Sequence, residues 1–215
     1  MNLFVHGAGL VCTADAKEPA DLARLREIFP GPALRRIPKL VRMALLAATD
    51  ALDMAHWRTP AILENTALVV GSAYGCQQMS LDFMDSILDN GPQLSSPTAF
   101  SHSVNNVLTG LVSLHLGMRG PCMNVTQFEH SFAGAVQAAT ALLASKRAGR
   151  VLLGMADEFD ARFAHCCPAV AQAGMAEGAV FFCLGPKGKD LPGFALADAA
   201  PTALAHAVAT FRALA

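Results

Sequence analysis

Charged residues are scarce in this sequence. They make up 15% of the 215 residues, whereas hydrophobic residues make up 53%. A soluble monomer usually covers its surface with more charge, so the composition favours a chain that buries a large apolar face against a partner. Lys and Arg number 16 against 17 Asp and Glu, and no basic stripe alternates with aromatic residues. This balance argues against nucleic-acid binding.

A long apolar run is also lacking. A membrane-spanning helix needs about 20 mostly apolar residues, but the best candidate, Ser131 to Ser145, is shorter and is followed at once by Lys146 and Arg147. The N-terminus MNLFVHGAGL has no basic region and reaches glycine too early for a secretory signal peptide. The sequence therefore predicts a cytoplasmic protein without a membrane span.

Metal and cofactor motifs are missing as well. The cysteines form no C-x-x-C pair and no metal-finger spacing, so free buried thiols are expected; they are Cys12, Cys76, Cys122, Cys166, Cys167 and Cys183. The segment GSAYG follows a strand-like run without the lysine or the spacing of a phosphate-binding loop. We expect neither a metal nor a cofactor.

The sequence does contain a regular alternation of strand-like and helix-like segments. Apolar, β-branched runs predict strands at 3–12, 66–75, 122–127, 149–158 and 178–185. Helical patterns lie between them, at 33–55, 76–91, 105–118 and 130–146, while the polar stretch 92–104 is interpreted as a loop. Such alternation indicates an α/β protein with a mostly parallel, mixed sheet.

No internal repeat or low-complexity linker divides the chain. We therefore predict one domain over residues 1–185, followed by an Ala- and Pro-rich tail over residues 186–215. The end of this tail has helical spacing, with Leu204, Val208 and Phe211 along its apolar edge.

Five motifs occur in the order of a known family. They are VHGAGLVCT, ALVVGSAYG, NNVLTGLVSLHLGMRGP, VLLGMADE and AEGAVFFCL. In this order the chain resembles the N-terminal half of a β-ketoacyl synthase, an enzyme of the thiolase fold that condenses acyl chains on carrier proteins. The resemblance implies half of a thiolase-like fold, with helices on both faces of the sheet.

The resemblance also reveals what is missing. Counting from Gly120-Pro121 in GPCMNVTQFEHSFAG, the family's nucleophilic cysteine falls on Glu129. The family's second half, which carries two histidines and a lysine of the active site, should begin after about Leu184, and the remaining residues are too few for it. The chain looks like half of a thiolase fold without its nucleophile.

Glu129 is a poor replacement for that cysteine. Condensation needs a thiolate to hold the acyl chain, whereas a carboxylate would give a short-lived anhydride. A helix N-terminus favours its negative charge by about 0.3–1 kcal/mol, which explains the residue without any chemistry. Cys122 should be buried in the preceding strand, and His130 should diverge from Glu129 on a helix. We therefore assign no catalytic residue.

The resemblance implies a function through a partner. In some polyketide and aryl-polyene systems an inactive relative, the chain-length factor, pairs with a full-length ketosynthase and shapes its acyl tunnel. This chain resembles a short member of that group, in fatty-acid or polyketide-type biosynthesis, which would meet acyl carrier protein only indirectly. The residues expected to face the tunnel or the partner are Gln77, Ser80, Phe83, Met84, Phe100 and His102.

Other interpretations remain open at this level. Phe83 and Met84 are equally compatible with ordinary core packing. The chain is also compatible with a decarboxylase or thioesterase that uses Glu129 as a general base on carrier-bound acyl groups. A third possibility is a homodimer that serves as an acyl-binding scaffold.

Overall fold

The computed structural model describes residues 3–12, 21–166, 177–186, 193–194 and 203–214. Within these residues six strands form one sheet. They are β1 (Leu3–Cys12), β2 (Thr66–Gly71), β3 (Cys122–Val125), β4 (Arg150–Asp157), β5 (Gly178–Gly185) and β6 (Gly193–Phe194). Each of the five strands predicted from the sequence is present.

Helices connect and cover the strands. They are α1 (Leu25–Ile28), α2 (Lys39–Met54), α3 (Pro60–Leu63), α4 (Gln77–Asn90), α5 (Pro97–Ser103), α6 (Val107–Leu116), α7 (Ser131–Ala144), α8 (Ala161–Cys166) and α9 (Ala203–Leu214). Single 3₁₀ turns occur at Gly31–Leu34, Pro92–Leu94 and Phe128–His130. Within the described ranges, no helix is both long and apolar enough to cross a lipid bilayer.

The sheet is mixed, in the order β3-β2-β4-β5-β1-β6. β2 pairs in parallel with β3 and with β4, whereas β5 runs antiparallel to both β4 and β1. β6 is antiparallel to β1, so β1 to β4 share one direction and β5 and β6 take the other. This arrangement confirms the predicted α/β class.

Two apolar layers lie on opposite faces of the sheet. One is formed mainly by α2 and α6, and the other by α7 and α9. Because both faces are covered, the central strands are uniformly apolar: every residue of β2 and β5 is buried. The predicted helices on both faces are therefore present.

β1 lies unusually close to α2. A Cβ atom added to Gly7 would collide with the carbonyl oxygen of Ala51, and one added to Gly9 would collide with that of Ala47. Only glycine permits such an approach of a strand to a helix backbone. The glycines of the first motif thus have a packing role in bringing α2 onto the sheet.

The interpretation of residues 92–104 as a loop was wrong. Pro92–Leu94 forms a 3₁₀ turn, and α5 occupies Pro97–Ser103. The Ser96 hydroxyl accepts a hydrogen bond from the Ala99 amide, 3.2 Å away, and Pro97 takes the first helical position, where its missing N–H is not needed. A cap and a proline make a short helix out of a Ser- and Pro-rich stretch.

The tail does contain the expected terminal helix. α9 packs against α7 and β5, and its residue Leu204 is 2% exposed. Val208 and Phe211 contact the same apolar layer. Residues 187–192 and 195–202 lie outside the described residues, so the division at 185 stays a prediction.

Candidate functional site

The carboxyl ends of the parallel strands meet at one edge of the sheet. β2 ends at Gly71, β3 at Val125 and β4 at Asp157, and the segments that follow these three strands come together there. In α/β proteins this edge is where ligands and reacting groups are usually bound. The candidate site is therefore the group of segments after β2, β3 and β4.

The segment after β3 is a strained turn. Phe128 has a φ of 49°, which is an outlier for a bulky residue that is not glycine. Its side chain is 61% exposed, and its ring lies 6.0 Å from that of Tyr74. Strained conformations of this kind concentrate at functional sites.

Glu129 follows on this turn and faces solvent. Its side chain is 62% exposed, and Oε1 lies 3.6 Å from Nε2 of His130, which is an ion pair only when the imidazole is protonated. The expectation that these two side chains diverge was wrong, because both are long and exposed and their ends turn toward each other in solvent. No side chain caps the start of α7, so Glu129 is not a capping residue.

Ser131 holds the turn in place from the buried side. It is fully buried, and its Oγ accepts a hydrogen bond from the Gln127 amide at 2.8 Å. The same hydroxyl lies within donating distance of the carbonyl oxygens of Ser72 (3.1 Å) and Phe128 (2.8 Å). The end of β2 thus fixes the turn that carries Glu129.

Asp157 organises the segment after β2. Its Oδ1 accepts hydrogen bonds from the Ser72 hydroxyl at 2.9 Å and from the Ala73 amide at 2.8 Å, with a longer contact from the Tyr74 amide at 3.4 Å. Burial raises the pKa of Asp157 to about 7, although these donors oppose the shift. Asp157 therefore determines where Tyr74 packs, and Tyr74 contacts Phe128.

Glu158 serves the starts of two helices. It is fully buried; its Oε1 accepts a hydrogen bond from the Gln78 amide at 3.0 Å, and the Leu40 amide donates to the same carboxylate. Neither α2 nor α4 has a side-chain cap of its own. One carboxylate thus satisfies orphan amides of both helices.

The pKa of Glu158 is raised, chiefly by burial, while the nearby charge of Lys39 opposes the shift. Lys39 itself forms an ion pair with Glu177, with Nζ and Oε2 2.6 Å apart. Oε2 of Glu158 and both amide atoms of Gln77 are buried without a hydrogen-bond partner. Sequence reasoning missed this role of Glu158, although the residue lies in the motif VLLGMADE.

The structure brings together only part of the predicted tunnel set. The rings of Phe83 and Phe100 lie 5.2 Å apart, and the Ser80 hydroxyl lies 3.3 Å from the Ser103 carbonyl oxygen at the end of α5. These residues form a contact between α4 and α5. His102 is half-buried on α5.

The other two predicted residues lie apart from this contact. Gln77 is 2% exposed and Met84 is 52% exposed, so the helical face that they share with Ser80 runs from the core to the surface. The core interpretation of Met84 is thereby wrong. Whether any of the six residues faces a tunnel stays a prediction.

Ion pairs connect α4 to the neighbouring helix α8. The Arg162 guanidinium on α8 lies 2.8 Å from a carboxylate oxygen of Asp82 and 2.7 Å from one of Asp85. A third contact, at 2.9 Å, joins it to Asp160. Hydrogen bonds to Asp160 and Asp82 raise the pKa of Arg162, and the ion pairs join α4 to α8.

β3 is an edge strand of the sheet. Among the described strands it pairs with β2 alone, and both Cys122 and Met123 are exposed. The expectation that the sheet buries Cys122 was wrong because it did not take strand order into account. Large apolar side chains are exposed on β3 and on α4 to α6; they are Met84, Leu88, Leu94, Phe100, Val104, Leu114 and Met123.

No group of three metal-ligating side chains occurs among the described residues. The site consists of a strained turn with an exposed carboxylate, a buried pair of acidic residues beneath it, and the helix α4, of which Gln77 alone is buried.

The sequence matches the family model described as "Beta-ketoacyl synthase, N-terminal domain" over residues 13–189. The chain belongs to the β-ketoacyl synthase family. No curated protein matches it in sequence.

Solved structures of ketosynthases share the fold. The ishigamide ketosynthase/chain length factor superimposes with a TM-score of 0.73 at 19% identity, over 90% of this chain and 65% of that one. A type II polyketide synthase complex, AntDE:AntF, which holds an acyl-carrier protein and a ketosynthase bound to the hexaketide, gives a TM-score of 0.71 at 15% identity, over 86% of this chain and 62% of that one. This ketosynthase-family chain thus spans about two thirds of the length of these two structures.

A third structure pairs two related chains. The ketosynthase ApeO in complex with its chain length factor ApeC, from Xenorhabdus doucetiae, gives a TM-score of 0.67 at 18% identity, over 88% of this chain and 81% of that one. At these identities the comparison establishes the thiolase-like ketosynthase fold.

Proposed function

We propose that this chain is a non-condensing, chain-length-factor-like subunit that pairs with an active ketosynthase and shapes its acyl tunnel. The supporting observation is Glu129, which occupies the family's cysteine position on the strained turn between β3 and α7. A carboxylate there does not retain an acyl group, because its anhydride with the acyl chain hydrolyses readily.

Three of the described cysteines are poorly suited to replace the missing thiolate. Burial, with a smaller contribution from the charge of Glu158, raises the pKa of Cys76 to about 12. Burial raises the pKa of Cys183, and partial desolvation raises that of Cys122 although the residue is exposed. A nucleophilic cysteine needs the opposite shift, so none of these three thiols is suited to forming an acyl-enzyme.

The exposed surface supports a partner. β3 presents one open edge, and an open strand edge pairs readily with a strand of another chain. Apolar side chains are also exposed on α6, which packs against β3, and on α4: Leu114 is 72% exposed and Leu88 is 76% exposed. Exposed apolar surface of this kind is a candidate interaction site.

The structures that share this fold agree with the choice of partner. Two of the three are described as containing a chain length factor with its ketosynthase. We extend this to fatty-acid or polyketide-type biosynthesis, in which acyl carrier protein would meet the pair rather than this chain alone.

The decisive experiment co-expresses the chain with full-length ketosynthases from the same organism. We expect a stable complex, an acyl adduct on the ketosynthase after incubation with acyl-carrier protein, and no adduct on this chain by intact mass. An adduct on this chain would contradict the proposal. A homodimer that binds acyl groups but does not bind the ketosynthase would instead support the scaffold interpretation.

The Glu129→Gln variant separates the proposal from the general-base alternative. Glutamine keeps the shape of the side chain but cannot take up a proton, so the activity of the pair should be retained. A loss of at least tenfold in turnover, about 1.4 kcal/mol in activation free energy, with the complex intact would favour the decarboxylase or thioesterase. His130→Gln, on the neighbouring exposed position, is the matched control.

A further inference from the structure

A pocket lies far from the strained turn, on the face of the sheet covered by α2. Its volume is about 320 Å³, and it is lined by Leu22, Ala23, Leu25, Arg26, Leu34 and Arg42. This volume is at the lower end of the range for small-molecule sites. None of its residues belongs to the proposed tunnel or to the exposed surface of β3.

Arg42 is the half-buried cationic group of this pocket. Its Nη2 donates to the Leu34 carbonyl oxygen at 3.3 Å, while its Nε is buried without a hydrogen-bond partner. Within the described part of the chain, no carboxylate lies within ion-pair distance of this guanidinium. A guanidinium carries five N–H donors, and one backbone carbonyl does not use them all, so Arg42 lines the pocket with donors left for an anion.

The surrounding segment is strongly basic, although the whole chain has a net charge of -1. Residues 21–42 contain the basic residues Arg24, Arg26, Arg35, Arg36, Lys39 and Arg42, but only the acidic residues Asp21 and Glu27. Arg24 is paired with Asp50 and Lys39 with Glu177. Arg26 thus adds a second positive charge to the pocket, and the local field attracts anions.

The rest of the lining is apolar. Leu22, Leu25 and Leu34 line the pocket beside Arg42, and Leu22, which is half-buried, keeps accessible apolar surface there. We propose that this pocket binds a small amphipathic anion: a carboxylate or phosphate group held by Arg42 and Arg26, with a short alkyl chain against these leucines. The planar fork of arginine suits both head groups.

The test uses the full-length chain and isothermal titration with octanoate, octyl phosphate, 1-octanol and inorganic phosphate. Octanoate, octyl phosphate or both should bind at one site, at least tenfold more tightly than 1-octanol and inorganic phosphate. The tighter of the two anions identifies the preferred head group. If 1-octanol binds as tightly as the anions, Arg42 does not contribute to binding. If inorganic phosphate binds as tightly as octyl phosphate, the leucines do not contribute. Either result overturns the proposal.

Variants locate the site. Arg42→Met should weaken binding of the preferred anion at least tenfold, whereas Arg35→Met, at an exposed position outside the lining, should bind like the wild type. If Arg42→Met fails to fold by circular dichroism, Arg26→Met decides, because Arg26 is exposed and its variant should still weaken binding. Wild-type affinity in the folded Arg variants overturns the proposal and leaves the ketosynthase complex and its acylation pattern unaffected.

Discussion

α2 and α4 begin at the same carboxylate but have very different surroundings. α2 buries eleven of its 16 residues, whereas Gln77 alone is buried among the 14 residues of α4. Glu158 accepts amides from the first turn of each helix. The difference indicates that α2 supplies stability to the sheet, while α4 leaves much of its surface uncovered, as its proposed place at a partner interface requires.

This division has a physical basis. α2 packs on β1, β4 and β5, so its position is determined by close packing over its whole length. α4 depends on hydrogen bonds at its start, on Arg162 along one side and on α5 along the other. A helix held by a few polar contacts can shift when a partner binds, at a smaller energetic cost than a core helix.

The largest expected effect compares one leucine from each helix. Leu45 in α2 is 0% exposed and Leu88 in α4 is 76% exposed. Leu45→Ala should lower the free energy of unfolding by about 2–5 kcal/mol, whereas Leu88→Ala should change it by less than about 0.5 kcal/mol. Urea denaturation of both variants measures the difference, and similar losses would contradict the division between the helices.

The second effect concerns Asp157, below the segment that leads into α4. Its pKa is raised to about 7 in the folded state, so the folded protein holds a proton that the unfolded chain loses above about pH 4. Stability should therefore fall as the pH rises from about 4 to 7 and change no further above that. The loss is at most about 4 kcal/mol.

Asp157→Asn removes this titration while keeping an acceptor for Ser72 and Ala73. The difference in unfolding free energy between wild type and variant, measured by denaturation at several pH values, should change across this window in favour of the variant. Parallel profiles would show that the carboxyl group is not protonated in the folded protein near neutral pH.

The third effect tests the shared start of the two helices. Glu158→Ala leaves the Gln78 and Leu40 amides without their acceptor and should destabilise the protein by about 1–3 kcal/mol. Glu158→Gln retains an oxygen for them and should lose less. Hydrogen exchange should rise at both amides in the Ala variant, and a rise at one helix alone would disprove the shared cap.

The last two variants should change stability least but should change the products of the ketosynthase pair most. Both predictions rest on the proposed function. Ser80→Phe enlarges a half-buried position against α5, with strain of about 1–3 kcal/mol, and should shorten the products of the pair. Met84→Ala, at an exposed position, should leave stability nearly unchanged and lengthen the products or broaden their distribution.

Mass spectrometry of the products gives the outcome for both variants, with Asp89→Ala on the exposed end of α4 as the control. Unchanged product lengths with an intact complex would show that α4 does not shape the tunnel.

The sequence was sufficient to predict the elements with a continuous apolar pattern. β2 and β5 are buried along their whole length, so their apolar runs were an unambiguous signal. The α5 helix was missed because its stability comes from the Ser96 cap and Pro97 rather than from apolar periodicity. Short capped helices therefore escape an analysis based on hydrophobic spacing.

The site was harder to predict because its contacts are distant in the sequence. Gln78 and Glu158 are separated by 80 positions, and only the strand order places them together. The exposure of Cys122 likewise depends on β3 being at the edge of the sheet. Residue types alone were enough to predict the family and to single out Glu129. The buried residues beneath Glu129 could be identified only once the fold was known.

The strand order also has a consequence during protein synthesis. β1 is synthesised before the other strands, yet its only neighbours within the described sheet, β5 and β6, come after β2, β3 and β4 in the sequence and begin at Gly178. At about 5–20 residues per second, β1 waits on the order of 10–30 s for a strand to pair with. During that interval α2, which is made soon after β1, can pack on this apolar strand and shield it from solvent. The glycines of β1 that face α2 allow this close contact before the sheet has formed.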